Sequence, residues 1–245
     1  VCGRMDLGLI TQCEGYGSAA SESGSYVGGV AGMTGATIRS SYAKCALSGQ
    51  SYVGGIAGSG AAETVSGGGS LIAGCCALIE LEQETEYAGA ICGDDAGSFL
   101  ENVFVSDTLA GLNRRSVAGQ AEPITFSELQ SRQALPLAMQ RLTLRFVVDD
   151  ETVFSTRFAY GDSFAQEDFP ELPQKEGCFA AWDRTELSEL HADTTVTAVY
   201  TPWLPCVTAP VLREDGRSAL LVEGEFQTGD AVSYTVDAMT PKAFD

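Results

Sequence analysis

The sequence predicts a mainly β protein, in which a short right-handed parallel β-helix is followed by a small β-rich module and a partial β tail. Two observations lead to this prediction. A pair of motifs repeats through the first half of the chain, and ordinary alternating strands replace it from Leu142 onward. The 245 residues include 28 glycines and only 8 prolines, and 44% of them are hydrophobic. Such a composition is typical of a β-rich protein with many tight turns.

Two interleaved motifs recur in the same order through the first half. The first, Ser-Tyr-Val-Gly-Gly-Val-Ala-Gly at 25–32, returns as Ser-Tyr-Val-Gly-Gly-Ile-Ala-Gly at 51–58 and in weaker form at 86–93. The second begins at Ile10, Ile38, Ile72 and Leu100, and its fourth position holds Cys13, Ser41, Cys75 and Val103. Self-similarity of this kind indicates a repeat architecture.

The character of each unit explains why a β-helix is predicted. The units are short, rich in Val, Ile and Tyr, and unable to bury both of their uncharged faces alone. Stacking like units about 4.8 Å apart would pair the backbone groups and align like side chains. We therefore expect Ile10, Ile38, Ile72 and Leu100 to form one inward ladder, and the four residues at the fourth position to form the next. A β-propeller is the nearest competitor, but its blades need about 40 residues.

The repeat also predicts where irregular and exposed segments lie. The Gly-rich segment 58–69 is expected to be a lengthened turn. The glutamates that alternate through 80–86 are expected on one solvent face of a strand.

Residues 8–111 resemble the GLUG-motif repeats of bacterial surface proteins. The specific core of the resemblance is Tyr-Val-Gly-Gly-Ile-Ala-Gly at 52–58. The resemblance implies an extracellular, non-enzymatic β-helical segment, often part of a large adhesin-like or surface-protease-like polypeptide. The third copy departs from the pattern, since Ala90 and Cys92 replace a glycine and an alanine. We place this β-helix at residues 1–112.

A linker with a short helix is predicted at 113–141. The periodicity breaks near Asn113, and Thr125 and Glu128 have the spacing of a capping box. The helix is expected to run from Phe126 to about residue 134 and to end before Pro136. We expect it to cap the open end of the β-helix, because an exposed final repeat invites edge pairing.

A second module is predicted at 142–203. Segments 142–148 and 152–160 alternate as strands around Asp149-Asp150-Glu151, which predicts a hairpin, and Thr195 to Tyr200 reads as a last strand. Together with Pro170, Pro173, Gly177, Phe179 and Trp182, these elements resemble the Listeria–Bacteroides repeat, the internalin-type B-repeat. That resemblance implies a ubiquitin-like β-grasp fold and a spacer or adhesive role without catalytic residues. In the tail, 204–245, two further strand-like segments lie at 220–226 and 231–236.

The charge balance argues against two classes of partner. Lys and Arg total 14 against 33 Asp and Glu, a net charge of −19. Such a surface repels nucleic-acid phosphates and anionic lipid. No apolar run approaches the roughly 20 residues that span a bilayer. Because no leader precedes the first motif and the chain ends on strand-like sequence, we expect a segment of a longer polypeptide.

The cysteine and histidine content argues against metal and nucleophilic sites. The eight cysteines are Cys2, Cys13, Cys45, Cys75, Cys76, Cys92, Cys178 and Cys206. They form no C-x-x-C pair, and with His191 as the single histidine a zinc site is disfavoured. His191 is also the one candidate base for a triad, and no G-x-S-x-G elbow accompanies it. Buried core cysteines are expected, with disulfides as the alternative.

An acidic site is the main enzymatic alternative. Lyases and hydrolases need clustered carboxylates, usually near a basic residue. Asp94, Asp95 and the 80–86 glutamates are the candidates, with Arg39 and Lys44 as the basic partners. Asp94-Asp95 more often closes a turn, and alternating glutamates more often form a solvated face.

The recurring tyrosines have two interpretations. Tyr26, Tyr52 and Tyr87 occupy one repeat position, and we expect them in the core. The alternative is an exposed ladder on which sugar rings stack.

The sequence therefore predicts a non-enzymatic segment of a secreted bacterial cell-surface protein, located outside the cell, with no catalytic, cofactor or metal site. Its role is that of an adhesin-like scaffold or spacer. The expected partners are other domains of a longer polypeptide and a host glycan or protein, with neither nucleic acid nor membrane insertion. The alternative is a β-helical polysaccharide-binding protein, or a lyase or hydrolase that uses acidic residues.

Overall fold

A computed structural model describes residues 2–62, 68–133 and 135–204, together with 211–212, 218–219 and 226–227. Of the described residues, 52% are in strands, which confirms the prediction of a mainly β protein with parallel sheets. The chain divides into two compact units. Unit 1 comprises residues 1–144, 155–164 and 187–194, and unit 2 comprises 145–154, 165–186 and 195–245. The predicted linker at 113–141 stays a prediction.

The first 123 residues of unit 1 form short strands in four parallel sheets. The strands of its first 123 residues are β1 (Cys2–Met5), β2 (Leu9–Thr11), β3 (Glu14–Ala20), β4 (Ser25–Gly28), β5 (Ala31–Thr34), β6 (Thr37–Arg39), β7 (Tyr42–Ser48), β8 (Ser51–Gly54), β9 (Ala57–Ser59), β10 (Leu71–Ala73), β11 (Cys76–Leu81), β12 (Ala88–Gly89), β13 (Ser98–Leu100), β14 (Asn102–Val105) and β15 (Ala121–Pro123). The sheet orders are β1-β5-β9, β2-β6-β10-β13, β3-β7-β11-β14-β15 and β4-β8-β12. Each sheet therefore collects one strand from successive repeats.

Equivalent repeats pair in register. Ile38 lies opposite both Ile10 and Ile72, and Val53 lies opposite Val27. The parallel pairing predicted for the first three copies of the second motif is therefore confirmed. Of the lengthened turn predicted at 58–69, residues 63–67 lie outside the described part of the chain.

The fourth copy is displaced by one residue from its predicted alignment. Ile72 lies opposite Phe99, while Leu100 lies opposite Ala73 and is 51% exposed. The prediction of Leu100 as the fourth ladder residue was therefore wrong. A shift of one residue moves every side chain of a strand to the other face, and so Val103 leaves the second ladder too.

A left-handed corner explains the true alignment. Gln12, Ser40, Gly74 and Glu101 all have positive φ, between 45° and 60°. Each corner lies two residues after its ladder residue, which places Phe99 rather than Leu100 in line with Ile72. The next inward position after the Glu101 corner belongs to Asn102.

Asn102 ends a hydrogen-bonded ladder inside unit 1. Its Oδ1 accepts a bond from the Cys75 backbone N–H at 3.0 Å, as Ser41 Oγ accepts one from Cys13 N–H at 3.2 Å. Asn102 Nδ2 donates to the carbonyl oxygens of Ile72 at 2.8 Å and Gln120 at 2.9 Å. The side chain is fully buried. The Asn102 amide thus bonds to backbone groups of the preceding repeat and of the segment that follows it.

The predicted helix is present and shorter than expected. It is α1 (Phe126–Ser131), and residue 134 lies outside the described part. Thr125 Oγ1 accepts from Glu128 N–H at 3.1 Å, and Glu128 Oε2 accepts from Thr125 N–H at 2.8 Å. This reciprocal pair confirms the capping box. Phe126 and Leu129 form the buried face of the helix.

The second half contains antiparallel pairs. Its strands are β16 (Leu142–Val148), β17 (Glu151–Phe158), β18 (Asp162–Ala165), β19 (Cys178–Trp182), β20 (Glu186–Leu190), β21 (Thr194–Leu204), β22 (Val211–Leu212), β23 (Ser218–Ala219) and β24 (Phe226–Gln227), with a 3-10 helix at Gln166–Asp168. The predicted hairpin is formed by β16 and β17, and the predicted last strand lies within β21. Asp149 and Asp150 both have positive φ, as a two-residue type I′ turn requires. The predicted segment 231–236 lies outside the described residues, and of 220–226 only Phe226 is described.

Unit 2 has an aromatic centre. Residues of unit 2 contribute to the sheet of order β17-β16-β21-β19, in which β19 pairs antiparallel with β21. Phe146 on β16 is buried against Phe154, Phe169 and Trp182, with ring centroids 5.0 to 6.1 Å apart. Trp182 Nε1 donates to the Pro170 carbonyl at 3.2 Å, which satisfies the indole inside this cluster.

Candidate functional site

The three recurring tyrosines form a stack at the surface of unit 1. The ring centroids of Tyr26 and Tyr52 are 4.9 Å apart, and those of Tyr52 and Tyr87 are 4.6 Å apart. Tyr26 is 41% exposed and the other two are half-buried. The expectation that these tyrosines belong to the core was therefore wrong. Tyr26 and Tyr52 have positive φ, so the alternation of an extended strand does not give the direction of their side chains.

The geometry of the stack limits what it can bind. The rings are nearly parallel, at 13° and 3°, so neighbouring tyrosines cover one another's faces. A sugar that stacks needs a free ring face, and between these rings none remains. Aromatic pairs of this kind contribute about 0.5–1.5 kcal/mol each. The stack therefore acts first as a support for the repeat, while the phenol edges stay accessible.

An acidic groove is lined in part by residues 82–86, which directly precede Tyr87 in the sequence. It has a volume of about 920 Å³ and is open to solvent. Its lining residues are Leu81, Glu82, Gln83, Glu84, Thr85, Glu86, Ala88, Thr108, Leu109, Ala110 and Arg114. Carboxylates, an amide, a hydroxyl and a guanidinium thus meet in one concave surface, which suits a polyhydroxylated ligand.

The alternating glutamates at 80–86 do not lie on one face of a strand, so that prediction was wrong. Strand β11 ends at Leu81, and the chain then bends through 82–87. Gln83 Nε2 and Thr85 Oγ1 both donate to the carbonyl oxygen of Gly49, at 3.0 and 2.8 Å. These side-chain bonds hold the segment against the preceding repeat and replace the strand ladder. Only Glu80 of the four lies on β11.

Asp94 and Asp95 have structural partners. Asp94 Oδ2 accepts from Ser59 Oγ at 2.6 Å, and its Oδ1 accepts from the Gly60 N–H at 3.0 Å. Asp95 forms an ion pair with Arg115. The interpretation of this dipeptide as the end of a turn stays a prediction. Both Asp94 oxygens are thereby used to join neighbouring segments of unit 1.

Lys44 has a role that the sequence did not reveal. It is 4% exposed, and its Nζ lies 2.6 Å from Asp193 Oδ2 and donates to the Arg141 carbonyl at 2.8 Å. The other oxygen of Asp193 accepts from the Thr143 N–H at 2.8 Å. A repeat strand is thereby linked to a segment far away in sequence. Lys44 had been considered as a basic partner for catalytic carboxylates, together with Arg39, which is exposed on β6.

His191 lies in a small aromatic cluster within unit 1. Its Nε2 is 3.2 Å from Asp107 Oδ2, and its ring stacks on Tyr160 with centroids 4.6 Å apart. Tyr160 also stacks on Phe126 of α1. Burial, and then the hydrogen bond to Asp107, raise the pKa of Tyr160 above its usual value. The cluster packs the histidine against the end of the repeat.

The described cysteines are all free thiols. Cys45, Cys75, Cys76 and Cys92 are buried. Burial raises the pKa of Cys45 and Cys75 to about 11 and that of Cys76 to about 12. At neutral pH these thiols are protonated and unreactive, and they act as small apolar side chains. Cys206 lies outside the described part of the chain.

The described residues hold neither a metal-binding cluster nor a membrane-spanning helix. They contain no group of three or more His, Cys, Asp or Glu side chains arranged to hold a metal ion. None of their helices is both long and apolar enough to cross a membrane. Comparisons with protein-family models, curated proteins and solved structures yield no match for this chain.

Proposed function

We propose that this chain is a non-catalytic segment of a secreted bacterial cell-surface protein, and that it serves as an adhesin-like scaffold or spacer. One observation carries the proposal: successive repeats pair in register along four parallel sheets. Each repeat adds about 4.8 Å to such a stack without changing its cross-section. A structure of this kind sets a defined distance between the segments that precede and follow it.

The fold assigned in this proposal is a right-handed parallel β-helix of the GLUG type, followed by a β-grasp module of the B-repeat type. The glycines of the first motif support the former. A Cβ atom at Gly28 or Gly54 would overlap the carbonyl oxygen of Ala31 or Ala57, so the motif requires glycine there. The β16–β17 hairpin and the aromatic cluster at Phe146 support the latter. Helix α1 then covers the last repeat.

The contacts of the reactive side chains support a non-catalytic role. Asp94 is held by donors from Ser59 and Gly60, Lys44 is paired with Asp193, and His191 is paired with Asp107. Each of these groups is used to join segments of unit 1. An acid and base on opposite sides of a substrate would instead need free, facing groups.

The thiols are compatible with the proposed extracellular location. A protein outside the cell meets oxidants, and thiolates react with them far faster than thiols. Burial keeps the four core cysteines protonated, which protects them without disulfides. The partners proposed for this segment are other domains of a longer polypeptide, and a host glycan or protein.

Two experiments test the proposal. Brief trypsin treatment of intact cells of the producing bacterium should release peptides of this chain, and detection solely in the lysate fraction would contradict a surface location. Incubation of the purified chain with pectins, glycosaminoglycans and host glycans, with and without calcium, should yield no new reducing ends or unsaturated products. Turnover that Asp94→Ala or Asp95→Ala abolishes would contradict the non-catalytic role.

The acidic groove supports a second candidate, polysaccharide binding. Its concave, carboxylate-lined surface includes Glu84, Glu86 and Arg114, which could bind sugar hydroxyls through charge-assisted hydrogen bonds. A glycan array probed with the intact chain should then give a hit that Glu84→Gln with Arg114→Ala weakens. Glu22→Gln, an exposed residue outside the groove, is the matched control. Equal binding by both variants would reject the groove as the site.

A further inference from the structure

We propose that strand β17 pairs antiparallel with the β17 of a second copy of this chain, so that the protein forms a symmetric dimer. The inference is independent of the proposed scaffold role, because it concerns a strand outside the repeats. The partner surface is the free edge of β17.

The outer edge of strand β17 is open to another strand. Within the described part of the chain, β17 has β16 as its one strand neighbour. Every residue from Glu151 to Ser155 is exposed, including Val153 at 48% and Phe154 at 44%. An eight-residue edge strand with exposed apolar side chains is a template for another strand.

The sequence of β17 is complementary to itself. When two copies run antiparallel with Phe154 opposite Phe154, Glu151 lies opposite Arg157 and Thr152 lies opposite Thr156. Ion pairs, threonine pairs and aromatic pairs are the favourable cross-strand combinations. The register at Phe154 is also the one symmetric register that places Glu151 opposite Arg157. Both charged side chains are exposed and free to reach across.

The backbone agrees with this register. In a two-residue type I′ hairpin the residues that flank the turn, Val148 and Glu151, exchange hydrogen bonds. Because the bonding direction alternates along a strand, the backbone groups of Thr152, Phe154 and Thr156 point away from β16. A two-fold axis at Phe154 brings these outward groups of the two copies together. Centring the pair on Ser155 would also bring outward groups together, but it would place Glu151 opposite Ala159 and Arg157 opposite Val153, so both ion pairs would be lost.

The size of this interface predicts a weak dimer. Two short strands bury much less than the roughly 1,600 Å² of a standard interface. We therefore expect association at concentrations of about 10–500 μM rather than a permanent dimer.

Charge exchange tests the proposal on the full chain. Sedimentation equilibrium should show a monomer–dimer equilibrium for the wild type. Arg157→Glu and Glu151→Arg should each weaken dimerisation about tenfold or more, because two attractive pairs become repulsive. The double variant, Glu151→Arg with Arg157→Glu, restores complementary pairs and should return to within about threefold of the wild type. Arg184→Glu, an exposed residue outside β17, makes the same charge change as Arg157→Glu and should leave the equilibrium unchanged.

Three results would overturn the proposal. The first is a wild type that stays monomeric up to about 1 mM, well above the range expected for so small an interface. The second is a double variant that dimerises no better than either single variant. The third is hydrogen exchange in which the Phe154 amide is equally protected in dilute and concentrated protein, since the chain's own residues would then cover the edge. Protection that rises with concentration supports the dimer.

Discussion

Removal of the Lys44 ammonium should destabilise the protein strongly. In Lys44→Met the apolar stem is kept, but Asp193 loses its partner at 2.6 Å and the Arg141 carbonyl loses its donor at 2.8 Å. Breaking a fully buried ion pair from one side costs about 3–5 kcal/mol. Because 28% of the Asp193 side chain is exposed, water recovers part of this, and we expect a loss of about 2–3 kcal/mol.

The double-mutant cycle separates the ion pair from other effects. Asp193→Asn keeps an acceptor for the Thr143 N–H but leaves the Lys44 ammonium, which is 4% exposed, without its counter-charge, and should cost about 3–4 kcal/mol. The double variant should be less destabilised than the sum of the two, with a coupling of about 1–2 kcal/mol. The measurement is urea unfolding followed by circular dichroism. Arg39→Met, which removes an exposed positive charge, is the control and should change stability by less than about 0.5 kcal/mol. A Lys44→Met variant that unfolds like the control, or strictly additive losses, would refute the reasoning.

Four further predictions concern the interior and the tyrosine stack. Asn102→Ala removes the side-chain partner of the buried Cys75 N–H and of the Ile72 carbonyl, whereas the Gln120 carbonyl keeps the Asn102 backbone N–H. It should lower the unfolding free energy by about 2–4 kcal/mol, measured by urea titration; a loss below about 1 kcal/mol would argue against the ladder. Tyr52→Leu removes both stacked pairs and should cost about 1–3 kcal/mol, whereas Tyr16→Leu, outside the stack, should cost less. Because the folded-state pKa values of Cys45, Cys75 and Cys76 are raised to about 11–12, the unfolded chain loses these protons first. Stability should therefore be full below about pH 8.5 and fall as the pH rises from there toward 11, and alanine variants of the thiols should flatten that fall. Alkylation of the unreduced, denatured protein should label most cysteines, and three or four disulfides would contradict their role as core fillers.

Local patterns predicted much of the fold. The capping box at Thr125 and Glu128, the turn at Asp149-Asp150 and the pairing of Ile10 with Ile38 all follow from residues close in sequence or from a regular repeat. The sequence showed that a tyrosine recurs at one repeat position, but it did not show which way the side chain points. Strand alternation assumes extended backbone, and the positive φ of Tyr26 and Tyr52 removes that assumption. The sequence showed the glutamates that line the groove, but the bend of this segment depends on the hydrogen bonds of Gln83 and Thr85 to the Gly49 carbonyl.

The sequence by itself determined that this chain is mainly β, that its first half repeats, and that the repeats pair in parallel. These properties depend on periodicity and turn chemistry, which are local. Tertiary structure alone decided that Phe99 rather than Leu100 continues the ladder, because a hidden one-residue offset is visible only in the pairing. It also decided that Lys44 meets Asp193. No local pattern connects two residues so far apart, and the burial that makes their pairing necessary exists only once the chain has folded.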